Sequence, residues 1–276
     1  MTQLKICSHL TYSVSTPTSF AFSVIAARTP FQSVASESID VVTEGDAPWM
    51  LVPYGAGTHQ LLRLSAEPGE LEITYRAEVM LNGLSSEATE LEEMAFADVP
   101  AEILPYLNPS RYCESDKLGG FAHREFGDLE PGHSRVQTVS DWVTDNLVYE
   151  PGSTNSSSST TDVLLQRAGV CRDFAHVAIA LCRALGIPAR YVSGYGVGVE
   201  PQDFHGFFEA YIGTDWYLFD PTGMAPANTL ARIGYGRDAA DAPFATLVGR
   251  AMLRSKTVEV EAIDPPSTEP EAMSTA

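Results

Sequence analysis

The sequence predicts an α+β protein: an antiparallel β-sandwich-like unit, then helices packed on an antiparallel sheet. Three observations predict it. Up to about residue 97 the chain reads as strand-like runs separated by turn formers, with little helical periodicity. Between Ser134 and Leu185 apolar residues recur at three- and four-residue steps. After Pro188 come three runs rich in aromatic and β-branched residues, the last two joined at Gly213-Thr214.

In order along the chain, Leu4 to Val14 and Glu70 to Leu81 read as strands. Thr16-Pro17-Thr18, Glu44-Gly45-Asp46, Glu67-Pro68-Gly69 and Leu81-Asn82-Gly83 punctuate this first unit, 1–97. Residues 98–133 read as a connector, with Pro100, Pro105, Pro109, Gly119-Gly120 and Pro131-Gly132. Ser134 can cap a helix carrying Val136, Val139, Val143 and Leu147. Gly152 to Ser159 is too polar to pack and reads as a solvated loop. Thr160 or Thr161 can cap a short helix, Asp162 to Ala168, which Gly169 stops. A central helix then starts at about Cys171. Its stripe is Phe174, Val177, Ala178, Leu181, Cys182 and Leu185, and Gly186 and Pro188 end it. The strands are Ala189 to Tyr195, His205 to Ile212 and Trp216 to Asp220. The second unit is expected over 134–263, with a disordered tail at 264–276.

Apolar residues are 44% of the 276, enough for a core. With 17 Lys+Arg against 36 Asp+Glu, the net charge is −19. Such a surface repels phosphate backbones and anionic lipid, so nucleic acid and membrane are not expected partners. It leaves neutral or basic peptides open, and its ordinary meaning is solubility. The start, MTQLKICSHLTYSVSTP, lacks an apolar h-region and a cleavage site, and no stretch of about 18 apolar residues exists. The expectation is a cytoplasmic protein with reduced thiols. Cys7, Cys113, Cys171 and Cys182 form no C-x-x-C pair, and no carboxylate set has calcium-loop spacing. Neither a metal nor a cofactor is expected.

One constellation carries chemistry. A nucleophilic cysteine must be a thiolate, which a helix N-terminus and a nearby imidazolium both stabilise. Cys171 opens the central helix, where its N–H is free to face an oxyanion. His205 opens a strand 34 residues on, and Asp220 closes the next strand 15 residues later. An even-length loop at Gly213-Thr214 makes paired numbers sum to an odd value. His205 and Asp220 then share one face at the open end of the hairpin, where a carboxylate can hold an imidazole tautomer. Each residue alone has an ordinary reading: a structural thiol, a packed histidine, a turn aspartate. Together, in this order, they point to a triad. Other residues read as structural: Asp173 in an ion pair with Arg172 or Arg190, His176 on the surface or in packing, Cys7 and Cys182 inert.

The motifs carry a resemblance. Gly169-Val170-Cys171-Arg172-Asp173-Phe174-Ala175 resembles the cysteine motif of the bacterial transglutaminase-like superfamily. Asp203-Phe204-His205-Gly206-Phe207-Phe208-Glu209-Ala210-Tyr211 resembles its histidine motif, and Trp216-Tyr217-Leu218-Phe219-Asp220-Pro221-Thr222 its aspartate motif. Arg183 to Tyr195, Gly236 to Asp241, the connector Arg111 to Asp116 and the β-rich first 80 or so residues are also similar. The resemblance therefore covers most of the chain. It implies a papain-like core with no cofactor, and covalent acyl transfer from an amide-bearing peptide or protein substrate through a thioester. Water or an amine would be the acceptor. It further implies that Tyr149, upstream of the nucleophile, serves the oxyanion. The family pattern has Ala-Trp after the histidine, where this chain has Gly206-Phe207, so Phe207 would offer the pocket a smaller aromatic face. Gly206 would either admit substrate backbone or relieve crowding at a strand start. A catalytically silent interaction module is the competing class; the presence of all three triad residues favours the enzyme.

Overall fold

The structure is a computed structural model that describes residues 1–45, 47–54, 57–264 and 272–276. Asp46 of the expected 44–46 turn and Pro265, Pro266 and Pro270 of the tail lie outside the described residues.

Six strands come first: β1 (Thr2–Val14), β2 (Thr18–Phe22), β3 (Gln32–Thr43), β4 (Trp49–Tyr54), β5 (His59–Ala66) and β6 (Gly69–Leu81). Alternation builds them. Leu4, Ile6, Leu10, Tyr12 and Val14 of β1 and Leu71, Ile73, Tyr75, Val79 and Leu81 of β6 face one core, while their neighbours face outward. Then follow β7 (Leu84–Ser86), α1 (Ser115–Phe126), α2 (His133–Asn146), β8 (Val148–Tyr149), α3 (Thr160–Gln166), β9 (Ala168–Gly169) and α4 (Cys171–Ala184). The chain ends with β10 (Ala189–Gly196), β11 (His205–Ile212), β12 (Asp215–Phe219), β13 (Leu230–Gly236), β14 (Ala245–Val248), β15 (Ala251–Ala262) and β16 (Ala272–Ser274).

The four-stranded sheets β15-β1-β6-β3 and β14-β2-β5-β4 form the sandwich, and β12-β11-β10-β13 forms the antiparallel sheet of the α+β core. Helix α4 lies on β10 and β11, with α1, α2 and α3 packed around it. On the other side, Tyr195, Ala231 and Ile233 join the sandwich core. The core sheet is thus covered on both faces, and every residue of β10 and β11 is buried.

Several elements differ from the sequence reading. The connector contains α1, and Gly119-Gly120 lie inside it. Each glycine costs about 1 kcal/mol of helix propensity, which burial of Leu118, Ala122 and Phe126 along one face offsets. Gly132, at φ 143°, precedes α2, so Ser134 lies inside the helix and its carbonyl accepts from Thr138. Ser159 precedes α3, where the Asp162 carboxylate accepts the Ser159 N–H at 2.9 Å. The α4 stripe is only part of what is hidden: everything from Asp173 to Arg183 is buried, because helices cover its outer side too. Strands β14 and β15, placed by the sequence in the second unit, pair with β2 and β1 instead. Residues 272–275, read as tail, are buried; β16 pairs with β7.

Candidate active site

Cys171 is the first residue of α4 and is only partly exposed. Asp173 shapes the entry to this helix. Its carboxylate accepts the Val170 N–H at 3.0 Å and pairs with Arg172 at 2.7 Å, and Thr154 also donates to it. Of the two expected partners, Arg172 is the one used; Arg190 goes to Glu209. Gly169 is required by this packing, since a Cβ there would lie 2.8 Å from the Asp173 Cβ.

The hairpin pairs Phe208 with Phe219 and Ile212 with Asp215, so paired numbers have an odd sum. His205 and Asp220 consequently fall on one face. Strand β12 ends at Phe219, and Asp220 follows it. His205 Nε2 donates to Asp220 Oδ2 at 2.9 Å, with both side chains almost fully buried. Asp220 also accepts from Thr222 N–H (3.0 Å) and Oγ1 (2.8 Å) and from Ala225 N–H (3.0 Å). It is a buried hub, not a simple strand-end residue. Burial would push the imidazole down, but the Asp220 charge and hydrogen bond, with smaller contributions from Cys171, outweigh it and raise His205 to about 10. Burial likewise opposes the charge on Asp220, yet His205 and Thr222 hold it below the usual carboxylate range. With Nε2 committed to Asp220, Nδ1 is the ring nitrogen left for Cys171.

Cys171, His205, Arg172, Tyr112, Tyr191 and Gly206 line one cleft of 330 Å³, together with Ser23 and Lys256 from the sandwich. Tyr149 is beside Cys171. Burial raises its phenol well above the usual range and the Cys171 charge adds to that, while a hydrogen bond with the Cys171 backbone works the other way. Phe207 is not in the cleft. It is completely buried with Val192, Val199, Leu218, Ala225 and Leu230, its ring 6.1 Å from that of His205. Phe207 lies two residues beyond His205 on the same face of β11, away from the open end of the hairpin, and packs behind the histidine.

At Gly206 a Cβ would meet the Tyr191 hydroxyl at 2.6 Å, so the crowding reading has an observed cause, and the glycine also lines the cleft. Of the two readings of His176, surface or packing, the structure shows packing. It is buried, lies between the Tyr112 (5.1 Å) and Tyr191 (5.4 Å) rings, and accepts the Ala239 N–H at Nε2. Burial lowers it to about 3, so it stays neutral. Sequence reasoning misses Tyr191, Tyr112 and Lys256. Pairing β10 with β11 would have put Tyr191 and Gly206 on one face. Nothing local marks Lys256, which reaches Asp203 at 2.5 Å from another sheet.

Among the described residues, no helix is long and apolar enough to cross a membrane, and no group of three or more His, Cys, Asp or Glu could hold a metal.

The fold has counterparts in known proteins. The family model for the core of the transglutaminase-like superfamily matches residues 121–221, a span containing Cys171, His205 and Asp220. A Cytophaga hutchinsonii protein solved as a candidate cysteine protease is 42% identical, with 99% of this chain and 96% of that one covered at a TM-score of 0.92. An uncharacterized Mycobacterium leprae protein is 33% identical over 194 residues, 64% of this chain and 67% of that protein. An uncharacterized Mycobacterium tuberculosis protein is 30% identical over 154 residues, so the match spans about half of each (50% and 48%). The fold is the mixed α+β, papain-like one of this group, and the chain belongs to the transglutaminase-like superfamily.

Proposed function

We propose that the protein is a cysteine-dependent acyl-transfer enzyme acting on amide bonds of a peptide or protein substrate. The observation that carries this reading is the conjunction at one cleft: a thiol at a helix start, and a buried imidazole whose Nε2 is 2.9 Å from a buried carboxylate while its Nδ1 has no hydrogen-bond partner among the described residues.

The chemistry follows from those positions. Asp220 holds the imidazole in place and supports its positive charge, which in turn stabilises a thiolate at Cys171. The thiolate attacks the amide carbonyl. The Cys171 N–H and the Tyr149 hydroxyl serve as donors to the oxyanion that forms. As the intermediate collapses, His205 gives its proton to the departing amine and leaves a thioester on Cys171. Neutral His205 then takes a proton from the incoming water or amine, and the thiol is regenerated. The sandwich contributes Ser23 and Lys256 to the cleft rim, so we assign it a part in admitting substrate. All four cysteines are unpaired, which suits a reducing compartment such as the cytosol.

The test is incubation with a peptide library with and without a primary amine, read by mass. Cleaved or deamidated peptides in one arm and amine adducts in the other support acyl transfer and show which acceptor is used. Unaltered peptides in both arms, with Cys171 no more reactive than a free thiol, contradict it.

A further inference from the structure

The cleft at Cys171 has a neighbour. A second cavity, also of 330 Å³, shares Ser23, Ala242 and Pro243 with it, so the two lie side by side across the Ala242-Pro243 segment. The floor of the second cavity is the outer face of the sandwich sheet β14-β2-β5-β4. Alternation sets that face: Phe20, Phe22, Leu62 and Leu64 point into the sandwich core, so Ala21 and Leu61 point out of it. The segment after β13 forms the opposite wall, and it is pinned. The Tyr54 hydroxyl donates to the Asp241 carbonyl at 2.6 Å. The Asp241 carboxylate accepts the Arg237 backbone N–H at 3.1 Å and its Nε–H at 2.8 Å, and the Ala240 N–H donates to Asp238 at 2.8 Å. The cavity is therefore preformed, and its carboxylate is already paired. What it offers a ligand is chiefly carbon: Ala21, Leu61, Pro243 and the Tyr54 ring.

Resting on the reading of Cys171 as the nucleophile of peptide acyl transfer, we infer that this second cavity is a subsite for an apolar side chain of the substrate, on one side of the amide that Cys171 attacks. The occupant follows from the continuity of the two cavities. A peptide held at Cys171 that crosses Ala242-Pro243 places a side chain over Leu61. Pro243 has no N–H and Ala242 is small and buried, so the crossing leaves no donor of Pro243 to be satisfied and meets no long side chain at Ala242. The substrate class is thus a peptide segment with a Leu-, Met- or Phe-like residue near the reacting amide. The sandwich, through Ala21, Leu61 and Tyr54, is the part of the molecule that reads it.

The experiment is turnover of a peptide library varied one position at a time on both sides of the reacting amide. It is read by mass as relative kcat/KM for wild type, Ala21→Phe and Leu61→Asp. At one position wild type should favour Leu, Met or Phe over Ser by at least about tenfold. Ala21→Phe fills the cavity and should abolish that preference. Leu61→Asp puts a carboxylate on its floor and should shift the preference at the same position to Lys and Arg. Both variants should keep the wild-type ranking at the other positions. Should one variant fail to fold, the other decides. No apolar preference in wild type, or one that survives substitution, overturns the inference and leaves acyl transfer standing. A wild-type dimer that Leu61→Asp disrupts, with the peptide ranking unchanged, also overturns it and gives the cavity to a second copy of the chain. A wild type that processes no peptide removes the peptide-substrate reading, and this inference with it.

Discussion

Two antiparallel regions of the molecule bury their strands differently. In β1 and β6 every second residue is hidden, whereas β10 and β11 are hidden along their whole length. Hydrogen-bond pattern does not separate them; what lies on the second face does. The outer faces of β1 and β6 meet solvent, while β10 and β11 lie between helix α4 and the sandwich. A polar group in the enclosed sheet cannot rely on water, so it must be paired inside the protein. That is what Glu209 does between Arg190 and Arg232, and what Asp220 does with His205. The same exclusion of water strengthens the interaction between the imidazole and its carboxylate.

Substitutions can break or sharpen this contrast. The largest effect is expected at Cys171. Cys171→Ala should reduce acyl transfer at least about 10³-fold with little change in melting temperature, because the thiol faces a cleft. Cys182→Ala should do the reverse. That thiol is fully buried and burial holds it well above the usual range, so the change should keep activity and cost about 1 kcal/mol. Activity assays paired with urea unfolding check both. Next comes Glu209→Ala, which leaves Arg190 and Arg232 buried without their counter-charge. A loss of about 3–5 kcal/mol is expected in urea unfolding, and a loss typical of a surface pair would contradict the enclosed-sheet account.

Asp220→Asn should be intermediate in stability. It disturbs a carboxylate with four hydrogen bonds, so a loss of about 1–3 kcal/mol is expected. It should also lower the maximum rate and move the basic limb of the pH–rate curve to lower pH. The sign follows from His205. Its pKa is about 10 in the folded protein, against about 6.5 unfolded. The stability it contributes is therefore complete below about pH 6.5 and is lost as pH rises through about 10. Unfolding at pH 6, 8 and 10 should show that decline in wild type and a weaker one in Asp220→Asn. The smallest effect is expected at the Asp203–Lys256 bridge. Both side chains are about one-third exposed, so Lys256→Ala should change stability by about 0–1 kcal/mol.

What can be read from the sequence follows the same contrast. Alternation makes β1 and β6 visible, and the odd-sum register at Gly213-Thr214 places His205 and Asp220 on one face by residue numbering alone. Where burial is two-sided, the pattern says less. Phe207 reads as a cleft residue only through the family pattern after the histidine, and β11, buried along its whole length, carries no alternation to correct that reading. Helix α1 is hidden by Gly119-Gly120, whose propensity cost is overcome only by packing on α4. The partners of β14 and β15 lie more than 200 residues away in the chain, and their own residues do not record which sheet they join. Tyr191 escapes a motif search because its place over Gly206 depends on a cross-strand diagonal.

The most direct test of the central claim is the intact mass and peptide map of protein mixed briefly with p-nitrophenyl acetate and quenched in acid. Of the four thiols, Cys113 and Cys182 are buried and Cys7 is partly accessible, so the site of acetylation is informative. The account predicts one acetyl group, on Cys171, formed rapidly at pH 6 and lost in both Cys171→Ala and His205→Ala. Acetyl groups shared between Cys7 and Cys171, or unchanged labelling in His205→Ala, would contradict it.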